Sequence, residues 1–265
     1  MGAERPVVLR ARELTKRFGG LAALTDYDLS LRAGEVLGLI GPNGAGKTTA
    51  FNLLTGVLAP TSGRIALGGR DLAGAPPEAF ARAGIARTFQ NIRLFRDLTL
   101  WENVAVGLHM REGPGWLATV LALPGTRARE ARLRDRAVDL LARVGLGDAP
   151  DGLAGDLPYG LQRKVEIARA LATAPTVLLL DEPAAGMNPA ETARLTETLR
   201  GLAEAEGVTM IVVEHDMRLV MALCSRIQVL NRGLLLAEGP PAAIQRDESV
   251  VEAYLGSRRR AHAHA

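Results

Sequence analysis

Short, continuous apolar runs stand in the first and last thirds of the chain, and helical spacing of apolar residues fills its middle. The runs are VLGLI (36–40), TVLLLD (176–181) and TMIVVE (209–214). Their length and their branched residues predict buried strands. VVLRAREL, ALTDYDLSL, GRIAL and GIARTF (84–89) predict four more strands. Helices are expected from Leu98 to about Gln162 and again around 190–205, and TLWEN carries a capping box of Thr99 and Glu102.

This order of elements predicts an α/β fold. A mostly parallel sheet forms the core, with an N-terminal antiparallel β subdomain and a helical subdomain inserted at about 92–165. We expect a single domain over 7–256, in which 7–91 and 166–256 form the core with its β subdomain. The last residues, SRRRAHAHA (257–265), predict a disordered tail.

The segment DLPYGLQRKVEIARAL (156–171) predicts a helix with an unusual start. One apolar stripe carries the prediction, formed by Leu161, Val165, Ala168 and Ala172. Pro158 cannot continue a helix backwards, so the helix begins near Tyr159 to Leu161. No capping residue immediately precedes it. Either Asp156 and water satisfy the first amides, or an anion binds to them from outside.

Composition predicts a folded chain without a membrane span. The chain has 265 residues, of which 48% are hydrophobic, enough for a sizeable core. Its apolar runs are too short to cross a bilayer, and MGAERPVVLRARE lacks a secretory hydrophobic region. We therefore expect a protein that is soluble by itself and cytoplasmic. The one cysteine, Cys224, excludes an internal disulfide, and its apolar setting predicts a buried thiol.

The charge is mildly basic, with a net charge of +3. Much of the excess lies in TRAREARLRDRA (126–137), where acidic residues interrupt the basic ones, and aromatics make up only 4% of the chain. This pattern predicts a solvated helix face rather than a nucleic-acid surface, and no nucleic-acid partner is expected.

GPNGAGKT (41–48) matches the phosphate-loop pattern G-x-x-x-x-G-K-[ST]. The loop follows a predicted buried strand and precedes a predicted helix, the arrangement in which main-chain amides wrap phosphate oxygens. Lys47 would reach the β- and γ-phosphates, and Thr48 would place its hydroxyl on Mg²⁺. The sequence therefore predicts binding of a nucleoside triphosphate.

Polar residues follow three of the predicted strands. Asp181 and Glu182 end TVLLLDEP, at the carboxyl end of a buried strand, where ligands of open α/β sheets bind. Asp181 suits a role in holding Mg²⁺, and Glu182 suits the base that orients the attacking water. Gln90 and His215 follow two further strands in the same way. Without the phosphate loop, each of these two would be interpreted as an ordinary surface residue.

Taken together, these segments resemble the ATP-binding-cassette (ABC) ATPases. RTFQNIRLFRDLTLWENV, YGLQRKVEIARAL, LLLDEPAAGMNP, VVEHDM and VEAYLG are similar to the subgroup that powers branched-chain amino acid importers. The likeness runs from about residue 7 to 256. It implies a P-loop NTPase fold of the ABC type and ATP hydrolysis that drives uptake of branched-chain or related amino acids. Import of another small solute, such as urea or amides, and a soluble ABC ATPase outside transport are the alternatives, with a regulatory module that binds nucleotide without turnover as a third.

The resemblance also implies a role for each site residue. ATP and Mg²⁺ would be held by the phosphate loop, which comprises Gly41, Pro42, Asn43, Gly44, Ala45, Gly46, Lys47, Thr48 and Thr49. Thr48, Gln90 and Asp181 would contact the metal. Glu182, His215 and Gln90 would act in catalysis. Phe18 would stack on the adenine ring, with a core aromatic as the alternative.

In such ATPases two cassettes close head to tail, which implies partners. The amides of Tyr159, Gly160 and Leu161 would then face ATP held by a second ATPase subunit. The widespread form of this loop is L-S-G-G-Q, and here Pro158 replaces the serine, which predicts a heterodimer, with a homodimer as the alternative. Two transmembrane permease subunits would dock near Gln90, and a solute-binding protein would act indirectly. The expected location is peripheral, at the cytoplasmic face of the inner membrane.

Overall fold

A computed structural model of the chain describes residues 5–112 and 126–254. These divide into two compact units. The first holds the residues up to Arg87, then Thr176–Pro183, and the residues from Leu199 onward; the second holds Thr88–Pro175 and Ala184–Thr198. The second unit thus begins at residue 88, four residues before the expected insertion. It also keeps the whole helix that opens at Tyr159. The tail expected at 257–265 lies outside the described residues.

The first unit contains strands of two sheets and short helices. Its elements are β1 (Val7–Phe18), β2 (Leu21–Arg32), β3 (Val36–Ile40), α1 (Lys47–Leu54), β4 (Ser62–Leu67), β5 (Arg70–Asp71), α2 (Pro77–Ala83), β6 (Ile85–Arg87), β7 (Val177–Asp181), β8 (Met210–Val213), α7 (Met217–Leu223), β9 (Arg226–Asn231), β10 (Leu234–Gly239) and α8 (Pro241–Ile244). Helix α6 (Pro189–Glu206) gives its first ten residues, 189–198, to the second unit and its remainder to the first.

The larger sheet has the strand order β10-β9-β3-β8-β7-β6. All neighbours in it pair in parallel except β9 and β10, which are antiparallel. The predicted buried strands are confirmed, because every residue of β3 and β8 and the first four of β7 are buried. Parallel neighbours bring the carboxyl ends of β3, β8 and β7 to one edge of the sheet.

The smaller sheet is antiparallel, with the order β2-β1-β4-β5. Leu9, Ala11 and Leu14 of β1 are buried in the same apolar cluster as Leu37 and Leu39 of the larger sheet. Tyr27 of β2 is fully buried, and its hydroxyl donates a 2.6 Å hydrogen bond to Oε1 of Gln228 on β9. A shared apolar core and this bond join the two sheets, and the predicted α/β fold with an N-terminal antiparallel sheet is confirmed.

The second unit is helical. It contains α3 (Leu100–Glu112), α4 (Thr126–Arg143), a 3₁₀ turn (Ala154–Asp156), α5 (Tyr159–Ala172) and the first part of α6. The predicted capping box opens α3, since the Thr99 amide donates to Oε2 of Glu102 at 2.7 Å and the Glu102 amide donates to Oγ1 of Thr99 at 3.3 Å. Asn103 is fully buried, and it exchanges 3.0 Å hydrogen bonds with the main chain of Phe95.

The amphipathic predictions for α4 and α5 also hold. Leu133 and Ala137 of α4 are buried, whereas Arg132, Arg134 and Arg136 are exposed, so this face is solvated as expected. On α5, Val165, Ala168 and Ala172 are buried, and Leu161 is partly buried. Cys224 of the first unit is buried, and burial raises the pKa of its thiol to about 12, as expected of a structural cysteine. Within 5–112 and 126–254, the helices are all too short or too polar to span a bilayer.

Candidate functional site

The phosphate loop connects β3 to α1, and two of its glycines are required by the backbone. Gly41 has φ 152°, and a Cβ there would lie 2.2 Å from the carbonyl oxygen of Leu230. Gly46 has φ 105°, and its Cβ would lie 2.7 Å from the carbonyl oxygen of Ala23. Any side chain at either position would collide with main chain, so the turn closes tightly only with glycine.

The loop leaves a group of main-chain amides without an internal acceptor. Gly46 is the N-cap of α1 and forms no side-chain cap bond. Within the loop, the amide of Ala45 donates to the carbonyl of Pro42 at 3.1 Å. No described residue accepts a hydrogen bond from the following six amides: those of Asn43, Gly44, Gly46, Lys47, Thr48 and Thr49. Amides left open at a helix start, with the positive end of the helix dipole, form a cradle for phosphate oxygens.

Lys47 holds its ammonium group over this cradle. Nζ donates to the carbonyl of Gly41 at 2.6 Å and to that of Pro42 at 3.1 Å. Burial lowers the pKa of Lys47, and the charge of Glu182 opposes that shift. A positive group bonded only to carbonyls of its own loop can exchange them for phosphate oxygens without leaving the site.

Acidic and imidazole side chains gather at the carboxyl ends of β7 and β8. Asp181 is the last residue of β7, and the amide of Glu182 donates to the carbonyl of Val213 at 2.9 Å. Glu182 has a φ of 44°, an uncommon value for a residue with a side chain. Its Oε2 lies 3.9 Å from Nδ1 of His215. The first unit therefore brings Glu182 together with His215, and the charge of Glu182 acts on Lys47.

Gln90 and the start of α5, which the sequence also predicts to belong to the site, lie in the second unit. Gln90 is exposed, and its carbonyl accepts a 2.8 Å hydrogen bond from Nη2 of Arg163. Helix α5 begins at Tyr159 as predicted, with Pro158 as its N-cap and no side-chain cap bond, so Asp156 does not cap it. The amide of Leu161 donates to the carbonyl of Pro158 at 2.9 Å, so this amide is satisfied within its own turn. Among the described residues, none accepts a hydrogen bond from the amides of Tyr159 and Gly160.

Comparison with known proteins decides the family. The family pattern described as ABC transporter matches residues 24–185, and a second pattern, described as branched-chain amino acid ATP-binding cassette transporter, matches residues 235–259. The chain is 46% identical over 249 residues to the high-affinity branched-chain amino acid transport ATP-binding protein LivG of Salmonella typhimurium, covering 94% of this chain and 98% of that protein. The chain belongs to the ABC transporter family.

Solved ABC cassettes share the fold. A crystal structure of the ADP conformation of an ATP-binding cassette of an ABC transporter aligns with a TM-score of 0.82 at 31% identity, covering 95% of this chain and 99% of that one. A dimeric structure of a post-hydrolysis state of another ATP-binding cassette, bound to ADP and Pi, aligns with a TM-score of 0.71 at 26% identity, covering 88% and 98%. The chain is therefore an ATP-binding cassette, the ATPase component of a transporter.

The structure excludes a core position for Phe18, and its stacking on adenine stays a prediction. This ABC cassette places it at the end of β1, where it is 48% exposed, so it is not a core aromatic. Nζ of Lys16 lies 5.2 Å from the centre of its ring. An exposed ring beside a cation offers a flat apolar surface, which suits stacking of a base.

Two groups near the site were not predicted from the sequence. Nη2 of Arg87 lies 3.8 Å from Oδ2 of Asp181, while Nη1 donates to Oδ1 of Asn52 at 3.2 Å and to Oγ1 of Thr55 at 3.0 Å. Arg87 thereby ties α1 to the carboxylate at the end of β7. The only local signal for it is a basic residue at the end of a predicted strand, which is too common to predict this contact.

Glu214 is the other unpredicted group. It is fully buried, and its Oε2 accepts the amides of His215 at 2.9 Å and Asp216 at 3.1 Å. The same oxygen lies 3.7 Å from Nδ1 of His215. Glu214 therefore fixes the turn that carries His215. The visible sign in the sequence was an acidic residue directly after the apolar run TMIVV.

Proposed function

We propose that this chain is the ATP-hydrolysing subunit of an importer for branched-chain or related amino acids. The likeness to LivG supports this, because it covers almost the full length of both proteins and LivG is named for high-affinity branched-chain amino acid transport. The second family pattern, which is specific to branched-chain amino acid cassettes, adds support at the C-terminal end. In this proposal the chain lies peripherally at the cytoplasmic face of the membrane, bound to two transmembrane permease subunits that receive solute from a binding protein.

The observation that carries the catalytic proposal is the group of open amides at the start of α1. Lys47 lies beside these amides, and Asp181 and Glu182 lie at the same edge of the sheet. ATP would place its β- and γ-phosphates on these amides and on the Lys47 ammonium. The adenine ring would stack on Phe18. Glu182, which is 25% exposed at its side chain, would accept a hydrogen bond from the attacking water, and His215 beside it would contact the γ-phosphate.

The site also fits a magnesium ion. The Thr48 hydroxyl is exposed and forms no hydrogen bond within the described residues, and Asp181 presents a carboxylate at the sheet edge. Both are the hard oxygen ligands that Mg²⁺ prefers, and we propose that Gln90 supplies a third. Bound there, the ion would offset the negative charge of the phosphates.

We further propose that the working unit contains a second ATPase subunit. The amides of Tyr159 and Gly160 have no acceptor among the described residues, and they lie at the start of α5, where the helix dipole favours an anion. In the proposed heterodimer they would meet the γ-phosphate of ATP held by the partner subunit. Because Pro158 has no hydroxyl, this chain would offer the partner's ATP a weaker contact than it receives for its own.

The test uses the transporter purified with its permease and ATPase subunits and reconstituted in nanodiscs. We expect ATP hydrolysis to rise when binding protein loaded with leucine, isoleucine or valine is added. Stimulation by urea or amides alone would overturn the solute assignment. Glu182→Gln is expected to lower turnover at this subunit's own site by about 10²–10⁴-fold, since a positioned base is removed.

The same complex tests the asymmetry. Glu182→Gln in this chain and the matching change in the partner are introduced in turn. We expect the change in this chain to remove most of the hydrolysis and the change in the partner to remove little. Equal losses would contradict a heterodimer with one weakened site, and no loss from either would contradict the catalytic proposal.

A further inference from the structure

Arg163 is a charged side chain without exposure, on the second turn of α5. It is 0% exposed, and it is the largest of the fully buried side chains in the described part of the chain. Its Nη1 donates to Oε2 of Glu166 at 2.5 Å and to the carbonyl of Phe89 at 2.6 Å. Its Nη2 donates to the carbonyl of Gln90 at 2.8 Å. All these groups belong to the second unit.

Glu166, the ion-pair partner of Arg163, bonds the same stretch of main chain. It is 2% exposed, and its Oε1 accepts the amide of Phe89 at 3.4 Å. The ion pair therefore bonds the amide of Phe89, its carbonyl and the next carbonyl along the chain. Two side chains thus hold three main-chain groups of Phe89 and Gln90.

Stability does not explain such a pair. Burial raises the pKa of Glu166, and the charge of Arg163 opposes that shift. Buried ion pairs are often replaced by apolar residues of similar size without loss of stability. Nε of Arg163 is buried and has no hydrogen-bond partner among the described residues, which adds to the cost of burying the pair. The planar guanidinium donates hydrogen bonds to two adjacent carbonyls at once, and an apolar side chain cannot do this.

The same guanidinium also reaches the start of its own helix. Nη2 lies 3.4 Å from the hydroxyl of Tyr159, and the guanidinium carbon lies 6.0 Å from the centre of that ring. Tyr159 is the first residue of α5, and its amide and that of Gly160 are the open ones. One side chain thus contacts both the main chain of Gln90 and the residue that opens α5.

We propose that Arg163, paired with Glu166, is a positioning residue that holds the main chain of Gln90 in a fixed relation to the first turn of α5. This rests on the proposed function, in which Gln90 contacts the nucleotide site and the α5 amides face the partner's ATP. A movement of the main chain at Gln90 is then transmitted to the first turn of α5, and the reverse, through the planar guanidinium of Arg163. Because misplacement of about 1 Å can cost about 10²-fold in rate, loosening this link lowers kcat. It leaves KM for ATP unchanged, since the phosphate loop belongs to the other unit.

The main variant replaces both charges, Arg163→Met with Glu166→Met, in the reconstituted complex. We expect a melting temperature close to that of the wild type, kcat lower by about tenfold or more and KM within about twofold. Lys164→Met is the matched control, because it removes a charge from the same helix, and among the described residues Lys164 forms no hydrogen bond or ion pair with Phe89 or Gln90. Its kcat should stay at the wild-type value. A stable Met pair with wild-type kcat overturns the proposal.

A second variant covers the case in which the Met pair does not fold. Arg163→Lys keeps the charge but cannot bond both carbonyls, so kcat should fall while the fold persists. Combining Arg163→Lys with Gln90→Ala tests whether Arg163 acts through Gln90. If it does, Arg163→Lys lowers kcat by less than about twofold further on the Gln90→Ala background. Full additivity, or wild-type kcat for Arg163→Lys, overturns it.

Hydrogen exchange separates this inference from the proposed function, because it needs no turnover. In the subunit alone, we expect the amides of Phe89 and Gln90 to exchange faster in the Met-pair variant than in the wild type, with unchanged exchange at the phosphate loop. Unchanged exchange at Phe89 and Gln90 overturns the inference. Absence of ATP hydrolysis in the wild-type complex overturns the proposed function alone.

Discussion

Helices α1 and α5 both begin without a side-chain cap, yet they present different surfaces to an anion. Gly46 is the N-cap of α1, and six amides in and after its loop have no acceptor among the described residues. Pro158 is the N-cap of α5, and there only the amides of Tyr159 and Gly160 have none, because the carbonyl of Pro158 accepts those of Leu161 and Gln162. The phosphate loop can surround a phosphate, whereas the start of α5 can touch one only from a single side.

The lysine reinforces this difference. Lys47 stands over the phosphate loop with its ammonium bonded to loop carbonyls, whereas the nearest charge along α5, Arg163, is buried and bonded to carbonyls of Phe89 and Gln90. A helix start with its own cation can bind an anion by itself. A helix start whose cation is turned inward is suited to complete a site that another subunit holds.

The largest expected effect is on the free energy of unfolding, and it distinguishes the glycines at the two helix starts. Gly46→Ala should lower the free energy of unfolding by about 2–4 kcal/mol, because φ is 105° and the new Cβ would lie 2.7 Å from the carbonyl oxygen of Ala23. Gly160→Ala should leave it within about 1 kcal/mol of the wild type, on the stabilising side. The nearest atoms to the new Cβ there would be side-chain atoms of Glu191, at 3.6 Å. Urea unfolding of the isolated subunit measures both, and equal losses would mean that the two starts are equally constrained.

The next effect is on nucleotide affinity. Lys47→Met should weaken ATP binding by about 10- to 100-fold, since a charge-assisted bond worth about 1.5–3 kcal/mol is lost. The fold should persist, because the apolar stem keeps its volume. Titration calorimetry with ATP on the isolated subunit measures the dissociation constant. Lys164→Met is the control on the other helix and should bind ATP as the wild type does. If Lys47→Met binds ATP with unchanged affinity, the main-chain amides alone account for phosphate binding.

The two helix starts also differ in how far the sequence predicts them. The phosphate loop was predicted because everything it needs lies within Gly41 to Thr48 and follows from local backbone geometry. The capping box of Thr99 and Glu102 was predicted for the same reason. At α5 the start itself was predicted from Pro158. The satisfaction of the Leu161 amide was missed, because a proline without an amide still offers its carbonyl to the turn that follows.

Long-range contacts lie beyond such local patterns. Arg87 meets Thr55 across 32 residues, and Arg163 meets Phe89 across 74. In the sequence, Arg163 stands in a polar run, QRK, and the helical spacing gives no sign that it is buried against main-chain carbonyls. Its position depends on where the loop after β6 runs, which tertiary packing decides. The residues that we propose to bind ATP were therefore predictable, and those that position them were not.

The smallest expected effect concerns Pro158 itself. In the proposed heterodimer, Glu182→Gln should silence this chain's own site, so the remaining hydrolysis in the assembled complex would report the partner's site. Pro158→Ser should raise that rate by at most about tenfold, because one hydroxyl bond to phosphate is gained. The gain is limited since the new serine can also cap the amides of its own helix. Pro158→Ala, which removes the ring without adding a hydroxyl, is the control and should not raise the rate. If Pro158→Ser leaves the rate unchanged as well, the amides of Tyr159 and Gly160 already supply all that the partner's phosphate requires, and the two ATP sites are equivalent despite the proline.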